Sequence, residues 1–249
     1  MAVNLHKGQK IDLTKQNPRL KKIIVGLGWK VGSANFDLDA SAFLLSADGK
    51  VTGESDFIFY NNLHHWSGAV EHLGDSLIGA NTGDAEEICV DLEKIPAEIS
   101  RVAFAVTIFE SEERGQNFRQ IKNAFIRIVD AETGAELLRY SLDEDFTIET
   151  AVVAGEIYRH GGEWKFSAIG TGFSGGLAAL GRNFGVKTEN KTTRISVALY
   201  PAVKLDIKKL AAMKSCTLSE IVNDALKLYI EAHRQEIKIY DDSVKNSGG

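Results

Sequence analysis

Tyr158-Arg159-His160-Gly161-Gly162-Glu163-Trp164-Lys165-Phe166 is the stretch on which the fold turns. Two adjacent glycines accept positive φ without steric cost, and the segments on either side have strand composition. The chain therefore reverses here as an antiparallel hairpin. His160 reads as a turn residue, not a catalyst. Outward from this hairpin the same grammar recurs. Residues 23–29, 36–45, 57–60, 88–92, 102–108, 124–129 and 136–140 read as strands, with reversals at Asp48-Gly49, Asn61-Asn62 and residues 131–134. Many short strands separated by turn signals predict a mainly β protein, an antiparallel β-sandwich with its loops gathered at the ends. Residues 172–185 are glycine-rich but lack the Gly-Lys-Ser/Thr of a phosphate loop. With Ser174 as N-cap and Leu177, Leu180 and Phe184 at helical spacing, they predict a short packed helix.

The chain has 249 residues, 44% hydrophobic and 25% charged, which suits an ordinary globular protein of one large or two smaller domains. Its net charge of -5 conceals an asymmetry. Residues 1–186 hold 18 Lys+Arg and 26 Asp+Glu, giving -8, while the remainder holds 11 and 8, giving +3. An acidic body with a mildly basic tail suggests two units with different partners. The two cysteines, Cys89 and Cys216, fall one in each unit without metal-ligand spacing, as expected in a reducing compartment. No apolar run reaches membrane length and the first residues lack an apolar signal core, so a cytoplasmic location is expected.

Acidic side chains gather at three places. Gly74-Asp75-Ser76-Leu77-Ile78-Gly79-Ala80-Asn81-Thr82-Gly83-Asp84-Ala85-Glu86-Glu87 mixes carboxylates with neutral oxygens on a glycine-freed backbone. Asp37 and Asp39 alternate along one strand and so share a face. Glu110 follows a strand directly. If the sandwich brings these segments to one rim, they offer the hard oxygen ligands that calcium takes. A solvated acidic turn needs no ligand, and composition alone leaves both readings open. The loop is not an EF-hand, because Leu77 and Gly79 stand where that motif needs oxygen ligands. Glu110 with Asp75 or Glu86 has the makings of a glycosidase-like carboxylate pair, but nothing sets their separation. No nucleophile, base and orienting group stand together, so the chain is not expected to be an enzyme.

Four motifs together resemble the TerD family of bacterial tellurite-resistance and stress proteins. They are Phe36-Asp37-Leu38-Asp39-Ala40-Ser41, the Gly-Asp-rich loop, residues 108–118 and residues 156–166. The resemblance covers about residues 3–186. It implies a calcium-binding sandwich in residues 1–186, with Asp37, Asp39, Asp75, Asn81, Thr82, Asp84, Glu86 and Glu110 as candidate ligands and Ca2+ as cofactor. Against the family pattern, Ser76 replaces Asn, Ile78 replaces Thr and Ala85 replaces the second Asp of Gly-Asp-Asp-Glu. The lost carboxylate predicts one weakened calcium position.

Beyond a polar linker at residues 187–193 the grammar changes. Residues 194–199 alternate strictly. Pro201 suits a helix start, and Thr217-Leu218-Ser219-Glu220 is a capping box opening a second helix. One strand and two helices in about fifty residues cannot bury a sufficient core alone. Pairing with a second copy supplies both a strand partner and a core. Residues 194–240 resemble the ribbon-helix-helix family, a small α+β fold of dimeric DNA-binding domains, and residues 241–249 are an expected disordered tail. That resemblance implies a homodimer through residues 194–240. It makes Arg194, Ser196 and Ala198 the residues facing the major groove, and Thr217, Leu218 and Ser219 the phosphate-binding helix start. Against double-stranded DNA stand the modest charge and the acidic body, which leave a dimeriser that never touches DNA as the other reading. Three functions follow: a calcium-binding stress protein dimerised by its tail, a sequence-specific transcriptional regulator, or a bivalent calcium-dependent scaffold.

Overall fold

The computed structural model describes residues 2–30, 36–75, 84–142, 146–186, 200–214 and 218–234. Contacts between residues divide the chain into two units, Met1–Lys191 and Thr192–Gly249.

The first unit is mainly β. Its strands are β1 (Val3–Leu5), β2 (Lys10–Asp12), β3 (Lys22–Lys30), β4 (Leu38–Leu45), β5 (Phe57–Ile58), β6 (Val70–Asp75), β7 (Glu86–Asp91), β8 (Arg101–Ile108), β9 (Lys122–Asp130), β10 (Glu136–Ser141), β11 (Ala151–His160) and β12 (Glu163–Phe173). They form two six-stranded sheets, ordered β1-β10-β9-β3-β7-β6 and β2-β12-β11-β8-β4-β5. Every described ladder is antiparallel except β1 with β10. The opening hairpin is β11–β12, with His160 opposite Glu163 and both Gly161 and Gly162 at positive φ.

Alternation along the strands sorts the core. From the first sheet Ile23, Val25, Leu27, Ile88, Val90, Ile126, Ile128 and Leu138 point inward with no exposure. From the second they meet Ala40, Ala42, Leu44, Val102, Phe104, Val152 and Ile157. Burying each larger aliphatic side chain contributes about 1.5–3 kcal/mol, which is why register is strongly specified. The second sheet also buries its outer face. There Phe43, Leu45, Ala103, Ala105, Ala151 and Val153 pack against Leu180 and Phe184 of a helix spanning Gly176–Phe184.

That helix is where the sequence expected one, but its cap differs. Ser174 makes no side-chain cap, and the N-cap position is Gly175, in the left-handed region. Instead the Thr150 hydroxyl, at the foot of β11, accepts from Gly175 N at 3.1 Å and Gly176 N at 2.9 Å. The amides of the N-cap and of the first helical residue are thus satisfied from a neighbouring strand and not from the local chain. We label the helical turn Ser111–Arg114 α1 and this helix α2.

The second unit holds α3 (Pro201–Lys214) and α4 (Leu218–Ala232), which pack on each other. The expected strand with Arg194, Ser196 and Ala198, the linker at residues 187–193, Thr217 and the tail at residues 241–249 lie outside the described residues. Among the described residues no helix is long and apolar enough to cross a membrane.

Candidate metal centre

Antiparallel order decides which loops meet. Leu27 stands opposite Glu86 and Asp75 opposite Glu86, so β3 finishes where β6 ends and β7 begins. Leu38 stands opposite Ile108, so β4 begins where β8 ends. Phe109 N donates to Asp37 O at 2.8 Å, extending the β4–β8 pairing, and Ala40 N donates to Glu86 Oε2 at 2.6 Å, tying the second sheet to the first at this end. Asp37 just before β4, Asp39 near its start, Asp75 at the end of β6 and Glu110 just after β8 therefore share one rim.

Within that rim the candidate ligands divide. Asp37 is exposed and precedes β4, while Asp39 lies on the outer face of the second sheet, opposite Thr107. Asp39 and Glu110 line one recess of about 420 Å³, together with Tyr60, Thr107, Gly175 and Gly176. Glu110 adopts a left-handed backbone at φ 49° and holds Arg114 Nη2 at 2.8 Å. Asp75 closes β6. Asn81 and Thr82 lie outside the described residues.

Asp84 and Glu86 go elsewhere. Residues two apart on a strand normally share a face, but the chain bends at Ala85, whose N–H donates to Leu27 O at 2.8 Å. Glu86 turns into the space between the sheets, buried, with Oε2 3.2 Å from His72 Nε2. His72 Nδ1 accepts from Gly74 N at 3.0 Å, so the ring proton sits on Nε2 and is directed at Glu86 Oε2 and Ala40 O. Asp84 turns to the outer face of the first sheet, over Gly26, and is held by Arg127. Burial, and then the nearby Asp84 charge, raise the Glu87 carboxyl above its ordinary value. Hydrogen bonding from Arg139 lowers Glu136, with burial opposing and Arg127 adding to the drop.

Among the described residues, no group of three or more His, Cys, Asp or Glu side chains is placed to hold a metal ion. The described rim brings Asp39 and Glu110 together and assigns Asp84 and Glu86 to other partners. His72, Arg127 and Gly26 carry no ligand signal in the sequence: Arg127 and Gly26 look like ordinary strand residues, and His72 sits in a segment whose pattern does not read as a strand. One acidic run did offer a signal. β10 ends at this rim, Ser141 opposite Phe125, and Asp143-Glu144-Asp145 follow in sequence, outside the described residues.

Fold and rim define a two-sheet sandwich with an acidic end. Residues 1–184 match the TerD domain, and the chain belongs to the TerD family. It is 59% identical over 191 residues to an uncharacterized protein, YceE, of Bacillus subtilis, covering 75% of this chain and all of that one. General stress protein 16U of the same organism is 54% identical over 191 residues, with 75% and 99% covered. Tellurium resistance protein TerD of Serratia marcescens is 48% identical over 189 residues, with 75% and 98% covered. The crystal structure of a TerD homologue from Streptomyces coelicolor shares the fold, at 22% identity and TM-score 0.51 over 64% of this chain and 94% of that one. The family match ends before the second unit begins.

Proposed function

We propose that this chain is a calcium-binding stress-response protein of the tellurite-resistance type, acting in the cytoplasm without catalysis. One observation carries the calcium reading: Asp39 and Glu110, far apart in sequence, line a single recess at the end of the sandwich. Asp37, before β4, and Asp75, at the end of β6, share that end. Carboxylates brought together repel one another unless a cation is present, and calcium takes six to eight oxygens of this kind. Asp84 and Glu86 are buried on protein groups away from the recess, and Glu110, paired with Arg114 at 2.8 Å, would exchange or share that partner with the ion. Calorimetric titration of calcium into chelator-stripped protein tests the reading. Saturable heat is expected, and Asp37→Asn/Asp39→Asn or Glu110→Gln should remove it. Absence of heat, or heat indifferent to both variants, refutes it.

The second unit supports an addition that the family domain lacks. Leu205, Met213, Leu228 and Tyr229 are 53%, 82%, 75% and 65% exposed, an apolar surface that two helices leave uncovered. A second copy covers it in the ribbon-helix-helix reading, making the sandwich bivalent. Leu218 and Ser219 begin α4 and are exposed, as a phosphate-binding helix start requires. Light scattering should give a dimer mass. Fluorescence anisotropy on duplex DNA should show salt-sensitive binding that Arg194→Ala makes less specific. A dimer without DNA binding leaves the scaffold reading, and a monomer removes both.

A further inference from the structure

The recess lined by Asp39 and Glu110 has a second wall, and the donors on it are idle. A helix leaves its first amides without partners of its own, and α2 begins at this wall. Thr150 takes the amides of Gly175 and Gly176, and Gly175 O takes that of Ala179. Between them, Leu177 N and Ala178 N meet no acceptor among the described residues, and both residues line the recess. Two hydroxyls are in the same state. Thr107 and Ser111, 3% and 7% exposed, line the recess, and neither side chain has a hydrogen-bond partner among the described residues. Buried polar groups are normally paired, so these donors mark a place for an acceptor from outside the chain. Asp39 stands opposite Thr107 on β8, Thr107 stands opposite Ala151 on β11, and Thr150 beside it carries the start of α2. Acid and helix start therefore lie on either side of Thr107, two strand spacings or ~10 Å apart along the sheet.

We propose that this recess binds a phosphate monoester group, which lies between the start of α2 and a calcium ion on Asp39 and Glu110 and completes that ion's coordination. The inference rests on the calcium reading above. Two carboxylates offer an ion about four oxygens at most, and calcium takes six to eight. A phosphate monoester has three terminal oxygens, one for the ion and two for the amides and hydroxyls, whereas a carboxylate has only two in all. The N-terminal end of a helix favours such an anion. Glu112 and Glu113 also line the recess, so the phosphate is repelled unless the ion is there.

Calorimetry on the full chain tests this, with calcium titrated in the presence and absence of methyl phosphate. Methyl phosphate should tighten calcium about 10- to 100-fold, and calcium should tighten methyl phosphate by the same factor. With chelator present, methyl phosphate should give no heat. Thr107→Val and Ala178→Pro each remove one donor, the second in a first helical turn that tolerates proline. Each should lose most of the gain, since a hydrogen bond to a charged group accounts for about a tenfold change. The urea midpoint of Thr107→Val should not fall, because its hydroxyl bonds nothing in the protein; a fall shows an existing partner and overturns the inference. Phosphatidylcholine vesicles carrying phosphatidic acid present the same group on a lipid. Calcium-dependent sedimentation that methyl phosphate competes away assigns a lipid headgroup as source, and a response to methyl phosphate without sedimentation assigns a soluble one. Calcium heat that methyl phosphate leaves unchanged, that acetate tightens equally, or whose gain survives both substitutions overturns the phosphate site and leaves the calcium reading standing. Absence of calcium heat with and without methyl phosphate removes both.

Discussion

Gly26→Ala isolates the pairing of Asp84 with Arg127 by a single methyl group. Gly26 has an ordinary strand backbone, paired with Glu87 on one side and Arg127 on the other, so alanine meets no conformational obstacle there. Its methyl would occupy the space of the Asp84 carboxylate, at 2.4–2.7 Å from three of its atoms. Asp84 must leave, and Arg127 loses its partner. Breaking a buried ion pair costs about 3–5 kcal/mol. Here Arg127 keeps Glu136 and reaches the surface, so the cost falls to the bottom of that range or just below it, ~2–3 kcal/mol. In a domain of this size that lowers Tm by roughly 4–12 °C. In an Asp84→Ala background the obstacle is gone, and Gly26→Ala should instead stabilise by about 0.4–1 kcal/mol through the less flexible unfolded chain. The four proteins form a double-mutant cycle, to be followed by urea unfolding. Trp29, Trp66 and Trp164 all lie in the first unit, so tryptophan fluorescence reports on it alone. An equal cost of Gly26→Ala in both backgrounds, or no cost in the wild-type protein, refutes the steric link between Gly26 and Asp84.

Three further outcomes follow from the same geometry. Glu87 is raised in the folded state by burial and by Asp84, so its contribution is full below the ordinary value of 4.5 and is lost as pH rises through the folded value. Glu87→Gln should therefore stabilise at pH 7 and make no difference well below pH 4.5, as read by urea midpoints at the two pH values. Glu136 is lowered by Arg139 and Arg127, so its contribution holds above 4.5 and disappears as pH falls through the folded value. Glu136→Gln should flatten the acid limb of a stability-against-pH curve. Thr150→Val keeps the shape but removes the acceptor for Gly175 and Gly176. It should cost about 1 kcal/mol, as helix caps do, with faster exchange at the Gly176 amide.

How much of this was legible can be argued from single residues. The β11–β12 hairpin was readable because Gly161 and Gly162 are local punctuation and the flanking pattern is local too. β6 was not, since His72 occupies an inward position where the strand pattern calls for an apolar side chain. Its burial is stabilised by Glu86 and Ala40, groups remote in sequence. Local spacing points to Ser174 as the cap of α2, the nearest hydroxyl along the chain, while the hydroxyl that bonds the helix start is that of Thr150. Composition groups Asp84 and Glu86 in one acidic run, and the bend at Ala85 separates them to opposite faces.

The sequence by itself determined the class of fold, the family, and which segments carry acids, because alternation, turn glycines and motif residues are encoded over a few neighbouring positions. Only the tertiary structure decided that β3, β6 and β8 finish at one end of the sandwich, since strand order depends on pairings between distant segments. It also decided how each carboxylate is used. A carboxylate's role follows from the donors around it, and Arg127 over Gly26 is a neighbourhood that exists only once β3, β7 and β9 lie side by side.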